Sequence, residues 1–151
     1  MTGTESHLKF ILRLCAVVAG IAIVAVFMPD AWMNVAHRWV GLGDFPSTPI
    51  THYMARSLSA RYVMYGGVYW IVSYDVRRHA PVIRYLAMAG ILFAILVLVI
   101  DKNADLPASW TFVEGPIVLV FSVLILVLVR RVEKAPAADR RTVEALASLR
   151  R

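Results

Sequence analysis

The sequence predicts an all-α integral membrane protein: a four-helix bundle with both termini cytoplasmic and a short interfacial helix in the first outer loop. Three observations lead there. Of 151 residues, 60% are hydrophobic and 17% charged, and the mean hydropathy is +0.68, more apolar surface than one soluble domain buries. Several apolar runs are long enough to cross a hydrocarbon core of about 30 Å. Basic residues gather beside those runs, so the net charge of +6 marks orientation in a bilayer and no nucleic-acid face.

The first span is read at about residues 8–28. Lys9 and Arg13 precede its apolar stretch as in a signal peptide, but Val26-Phe27-Met28 offers no small-x-small cleavage site, so it stays as a helix that stops at Pro29-Asp30. It holds the single cysteine, Cys15. No disulfide can form within the chain, and Cys15 is read as a small packing residue. The next segment contains Trp32, Val35, Ala36 and Trp39 at helical spacing. It reads as the interfacial helix, with tryptophans at headgroup level and Asn34, His37 and Arg38 toward water. A glycine-rich hinge, Gly41-Leu42-Gly43-Asp44, follows.

The second span, about 50–74, carries Arg56 and Arg61 and is polar on one side. The third, about 81–100, begins at Pro81, where a helix tolerates proline. The fourth, about 109–129, includes Pro116, expected to bend it after two turns. The membrane domain covers 1–134, and 135–151 form a charged cytoplasmic tail in which Val143, Leu146 and Leu149 fall on one side of a short helix. Twelve of the sixteen Lys and Arg residues lie on one side of this arrangement, which places both termini in the cytoplasm because such residues resist translocation.

The candidate functional residues are the intramembrane polar cluster His52, Arg56, Arg61, Asp101 and Glu114. At a helix rise of about 1.5 Å per residue, Arg61 and Glu114 both sit roughly 24 Å above the inner boundary. Arg56 and Asp101 both sit at roughly 30 Å. Two ion pairs fit those heights, Arg61 with Glu114 and Arg56 with Asp101. Asp101 shares a helix face with Ala87, Gly90, Ala94 and Val97, a stripe of small residues of the kind that lets membrane helices approach, so it points inward. Gly66-Gly67, with Ala16, Ala19 and Gly20 in the first span, predict a tight waist. The leading reading is a structural or accessory membrane component with buried Arg/acid pairs, and the alternative is a small oligomeric transporter or binding protein. In one the pairs fix helix register. In the other the cluster, with His52 one turn above Arg56, is an outward-facing site for an anion or a protonatable ligand.

Other chemistry finds no support in the residue pattern. His7, His37, His52 and His79 show no metal-ligand or haem spacing, the serines have no base at plausible spacing, and the tyrosines at the inner end of the second span read as an interfacial belt. No catalytic residue and no cofactor is expected.

Ala55-Arg56-Ser57, Tyr65-Gly66-Gly67, a charged inner loop, a third apolar span and the late Glu114 resemble small four-helix bacterial membrane proteins of the domain-of-unknown-function type. The similarity extends more distantly to the DoxX-like proteins, over residues 8–131. The resemblance implies a four-helix architecture in a bacterial inner membrane and no particular reaction. The lone Cys15 removes a cysteine-based redox role. The expected partners are the lipid bilayer and either further copies of the chain or another membrane protein.

Overall fold

The computed structural model describes residues 3–135; the helical pattern around Val143 to Leu149 lies outside them. The described chain is helical throughout: α1 (Gly3–Ile21), α2 (Ile23–Phe27), α3 (Asp30–Trp39), α4 (Pro49–Val72), α5 (Ala80–Asn103) and α6 (Ala108–Lys134). Three segments are long and apolar enough to cross a membrane: Gly3–Phe27, which joins α1 to α2, and the helices α5 and α6. The fourth long helix, α4, has 24 residues, but the polar residues Thr51, His52, Arg56, Ser57, Ser59 and Arg61 keep it out of that group.

The first apolar segment is interrupted at Ala22, whose N–H donates to the Ala19 carbonyl at 3.2 Å while the Ala25 N–H reaches the Ala22 carbonyl at 3.0 Å. These are tightened i to i+3 bonds, a short departure from α geometry. The break lies two residues beyond Gly20. There α4 packs directly on the backbone of the first segment: a Cβ at Gly66 would stand 2.9 Å from the Ala16 carbonyl oxygen and 3.2 Å from the Gly20 nitrogen. Thr48 caps α4 by accepting from the Thr51 N–H at 3.3 Å, and Pro49 occupies its first turn. Pro116 sits inside α6, which continues through it to Lys134.

The helices pack as two pairs. α4 lies along α1 and α2, α5 lies along α6, and α1 joins the pairs through α6. In contrast, α4 barely touches α5 and has almost no contact with α6. The apolar core explains how the pairs stay together. Leu8, Leu12, Val72, Val76, Ala80, Ile83, Ala87, Ile125, Leu128, Val129 and Val132 form one buried cluster, and all belong to the half of the helices next to the 73–79 connection.

Polar ties reinforce that end. Arg77 donates to Glu5 and also to the Ala135 carbonyl at 3.3 Å, so one guanidinium joins α1, the connection and the C-cap of α6, where a cation also suits the helix dipole. Arg13 reaches the Ser73 hydroxyl at 3.4 Å and stands over the Trp70 ring. Arg84 pairs with Glu133 across α5 and α6 at 3.5 Å. The opposite half, toward Asp30, Asn103 and Ala108, has no comparable core: within α4 only Gly66 and Val72 are buried.

Candidate functional site

Two polar groups occupy the loosely packed half. The first is built where α3 turns back onto α4. Gly41 and Gly43 adopt φ of +88° and +78°, left-handed values that glycine reaches without steric cost, and they fold the loop over α3. Asn34 Oδ1 accepts the Phe45 N–H at 2.8 Å, the Gly43 carbonyl lies 3.1 Å from His37 Nδ1, and Arg38 pairs with Asp44. Asn34 and His37 thus hold the loop, where a purely water-facing role was expected. Trp32, Val35 and Trp39 remain exposed, and with Met28 and Ala36 they line one shallow apolar face.

The folded loop places the Phe45 ring between two imidazoles, 5.5 Å from His37 and 5.2 Å from His52. His52 Nδ1 stands 3.4 Å from Asp30 Oδ1 without hydrogen-bond geometry. Arg56 Nη2 donates to the same Asp30 oxygen at 3.3 Å and approaches the Met28 carbonyl at 3.5 Å. Met28 closes α2, so Arg56 supplies a donor at a helix end whose carbonyls have no partner in the helix.

This corrects the expected pairing: Arg56 meets Asp30, not Asp101. Matching heights were compared only for groups inside the expected spans, whereas Asp30 opens α3 just beyond the first apolar segment. With the Arg56 side chain 44% exposed and that of Asp30 62% exposed, the pair is peripheral and not buried.

The second group is acidic. Asp101 is only 3% exposed and continues the stripe of Ala87, Ala94 and Val97 along the buried face of α5. Its Oδ2 has no hydrogen-bond partner. Glu114 is half-buried on α6, with Trp110 one turn away on its own helix. The two helices meet closely below: a Cβ at Gly115 would stand 2.7 Å from the Leu98 side chain and 3.4 Å from the Ala94 carbonyl.

Among the described residues, no Lys, Arg or His nitrogen lies within 4.0 Å of either Asp101 or Glu114. Arg61, exposed on α4, has no carboxylate within that distance, so the expected pair of Arg61 with Glu114 is also absent. Matching height is necessary for a pair but does not fix rotation or separation, and α4 and α6 stand apart.

Of the five residues selected from the sequence, His52 and Arg56 therefore meet at Asp30, while Asp101, Glu114 and Arg61 form no ion pair among the described residues. Asp30 and Phe45 were missed. A signal for Asp30 existed in its place beside Pro29, at the start of a helix, where a carboxylate favours the dipole. Phe45 had none, because its position depends on the two glycines that reverse the loop. No group of three or more His, Cys, Asp or Glu residues that could hold a metal ion occurs among the described residues.

The chain matches no family model, and no curated protein or solved structure is significantly similar to it.

Proposed function

We propose that the chain is a four-span inner-membrane protein with cytoplasmic termini, and that it is a small binding or transport component for a protonatable ligand held in its outer half. Support for the fourth crossing comes from α4. It follows the first apolar segment from the Arg13–Ser73 contact, past Gly66, to Arg56 at the Met28 carbonyl. The basic residues beside the 73–79 connection and at the end of α6 favour the cytoplasm for that side.

The observation that carries the functional reading is Asp101, buried and without a cation beside it among the described residues. Removing a carboxylate from water without a partner is costly, and a register-fixing ion pair would have supplied that partner. An intramembrane carboxyl that keeps its place without one fits protonation or ligand capture. Because a bundle of this size encloses little space, a transport pathway would require further copies of the chain.

External labelling tests the reading. In a Cys15→Ala background, Glu114→Cys should react with a membrane-impermeant maleimide added from outside, whereas Leu96→Cys, on the lipid-facing side of α5, should not. Glu114→Gln and Arg61→Ala should leave the amount of folded protein within about twofold of the parent, as for surface changes of up to about 0.5 kcal/mol. Absence of labelling in folded protein, or a severalfold fall in abundance with both substitutions, would establish the register-fixing role instead.

A further inference from the structure

Resting on the reading of Glu114 as part of an outward-facing ligand site, we propose that the segment from Gly41 to Thr48 is a lid over the outer end of the gap between α4 and α6, latched by Phe45. Two contacts fix where the segment runs. At one end a Cβ at Gly41 would stand 3.8 Å from Ser109 Oγ, in the first turn of α6. Four residues later the Phe45 ring lies 5.2 Å from the His52 ring, in the first turn of α4. The chain thus passes from the start of one helix to the start of the other, and those two helices have almost no contact of their own. Along it Leu42 and Phe45 are half-buried while Gly41, Gly43 and Asp44 are exposed, so burial falls on its apolar side chains.

Glu114 lies beneath this crossing. It follows Ser109 by five residues, about 7.5 Å along the helix. It precedes Ile125 and Val132 by eleven and eighteen residues, which puts it within about 20° of both around α6. Ile125 and Val132 belong to the buried cluster shared with Leu8 and Leu12 of α1 and Val72 of α4. Glu114 is therefore on the face that α6 turns to those helices, beyond the core and at the level where α4 stands away.

The segment is bound firmly to α3 and lightly to the helices it crosses. Asn34 accepts the Phe45 N–H, the Gly43 carbonyl meets His37 Nδ1 and Arg38 pairs with Asp44, so loop and α3 form one cap. Among the described residues, the ties from this cap to α4 are the Phe45 ring against His52 and the exposed Asp30 carboxylate beside Arg56 and His52. A unit with so few buried apolar contacts opens at a small part of the cost of global unfolding, and loops that close over a site control its access to water. Phe45 is the tie that the crossing segment itself carries.

The test uses the full chain with Cys15→Ala and Glu114→Cys in phosphatidylcholine vesicles, and measures the initial rate of reaction with a membrane-impermeant maleimide added outside. Phe45→Ala should raise that rate about fivefold, through loss of the aromatic contact with His52. Gly43→Ala should raise it severalfold while removing no contact, because φ of +78° disfavours a side chain. Leu96→Cys, in place of Glu114→Cys, should stay unreactive with Phe45→Ala present.

Equal rates for Glu114→Cys in the parent, Phe45→Ala and Gly43→Ala overturn the lid and leave the ligand-site reading in place. No reaction of Glu114→Cys in any folded variant overturns the ligand-site reading, and the lid with it. Reaction of Leu96→Cys once Phe45 is replaced marks a general loosening of the helices and also overturns the lid. Should Phe45→Ala fail to fold, Gly43→Ala decides alone.

Discussion

Neighbouring residues can have opposite roles, and Gly66-Gly67 gives the clearest instance. The dipeptide reads in the sequence as one small-residue element, yet a Cβ at Gly66 would press on the Ala16 backbone at 2.9 Å, whereas at Gly67 it would meet nothing within 4 Å. Successive helical residues point about 100° apart, and which of the two meets α1 depends on how α4 is rotated. Gly66→Ala should destabilise by about 1 to 3 kcal/mol through overpacking against backbone that cannot yield. Gly67→Ala should be neutral or stabilising by up to about 1 kcal/mol. Thermal unfolding of the two variants in the same detergent measures the difference.

Asp75, in the connection from α4 to α5, gives a pH-dependent counterpart. Its Oδ1 accepts the Arg78 N–H at 3.0 Å, and this hydrogen bond holds its carboxyl below the usual aspartate range; desolvation opposes it, and the Arg77 N–H, His79 and Lys9 add smaller effects in the lowering direction. A folded-state pKa below the unfolded value gives stability that is present above the unfolded aspartate pKa of about 3.9 and lost as pH falls through the folded value. Asp75→Asn should therefore unfold more readily than the parent at neutral pH, with the gap closing on acidification below about pH 4. Melting curves across that range would show a constant gap if the carboxylate plays no part.

At the scale of elements, the helices were legible where apolar composition dictates them. The segments expected near 8–28, 81–100 and 109–129 correspond to Gly3–Phe27, Ala80–Asn103 and Ala108–Lys134, and the short helix near 31–40 to Asp30–Trp39. The break at Ala22 was not legible, because Ile21, Ala22 and Ile23 carry no helix-breaking chemistry of their own. Nor were the partners of the arginines, since helix rise gives depth but neither rotation nor the reach of a neighbouring loop.

Ion pairs differ in worth for the same geometric reasons. Arg77 joins Glu5, whose side chain is 12% exposed, to the end of α6, while Arg38 and Asp44 are 62% and 73% exposed. Arg77→Ala should cost about 1 to 3 kcal/mol, because it leaves a largely buried carboxylate without its donor. Arg38→Ala should cost no more than about 0.5 kcal/mol, as exposed pairs do. Parallel thermal or denaturant unfolding of the two variants checks the order; equal losses would contradict it.

Across the whole molecule, the helices share one packed half, while in the other α4 stands away from the closely packed α5 and α6. The buried cluster and the ties from Arg13, Arg77 and Arg84 lie beside the 73–79 connection. Asp101, Glu114 and Arg61, which form no ion pair among the described residues, lie toward the opposite half, where α4 stands away from α5 and α6. This separation of stability from polarity is the arrangement a ligand site on a rigid base requires, since the residues that hold the helices together are not the ones that would meet a ligand. Composition predicted the membrane class and the positions of the apolar helices. It could not reveal the open half, which depends on how the two helix pairs lean together.

The contact of Arg56 with Met28 and Asp30 also bears on how such a protein enters its bilayer. Too polar to qualify by itself as an apolar crossing, α4 draws its arginine's partners from chain that emerges 26 and 28 residues earlier. On the four-crossing reading it thus enters as one arm of a hairpin whose first arm is already in place. On that same reading the counter-charge stands at the far end before the second arm arrives, so the ion pair can close only once that arm has crossed.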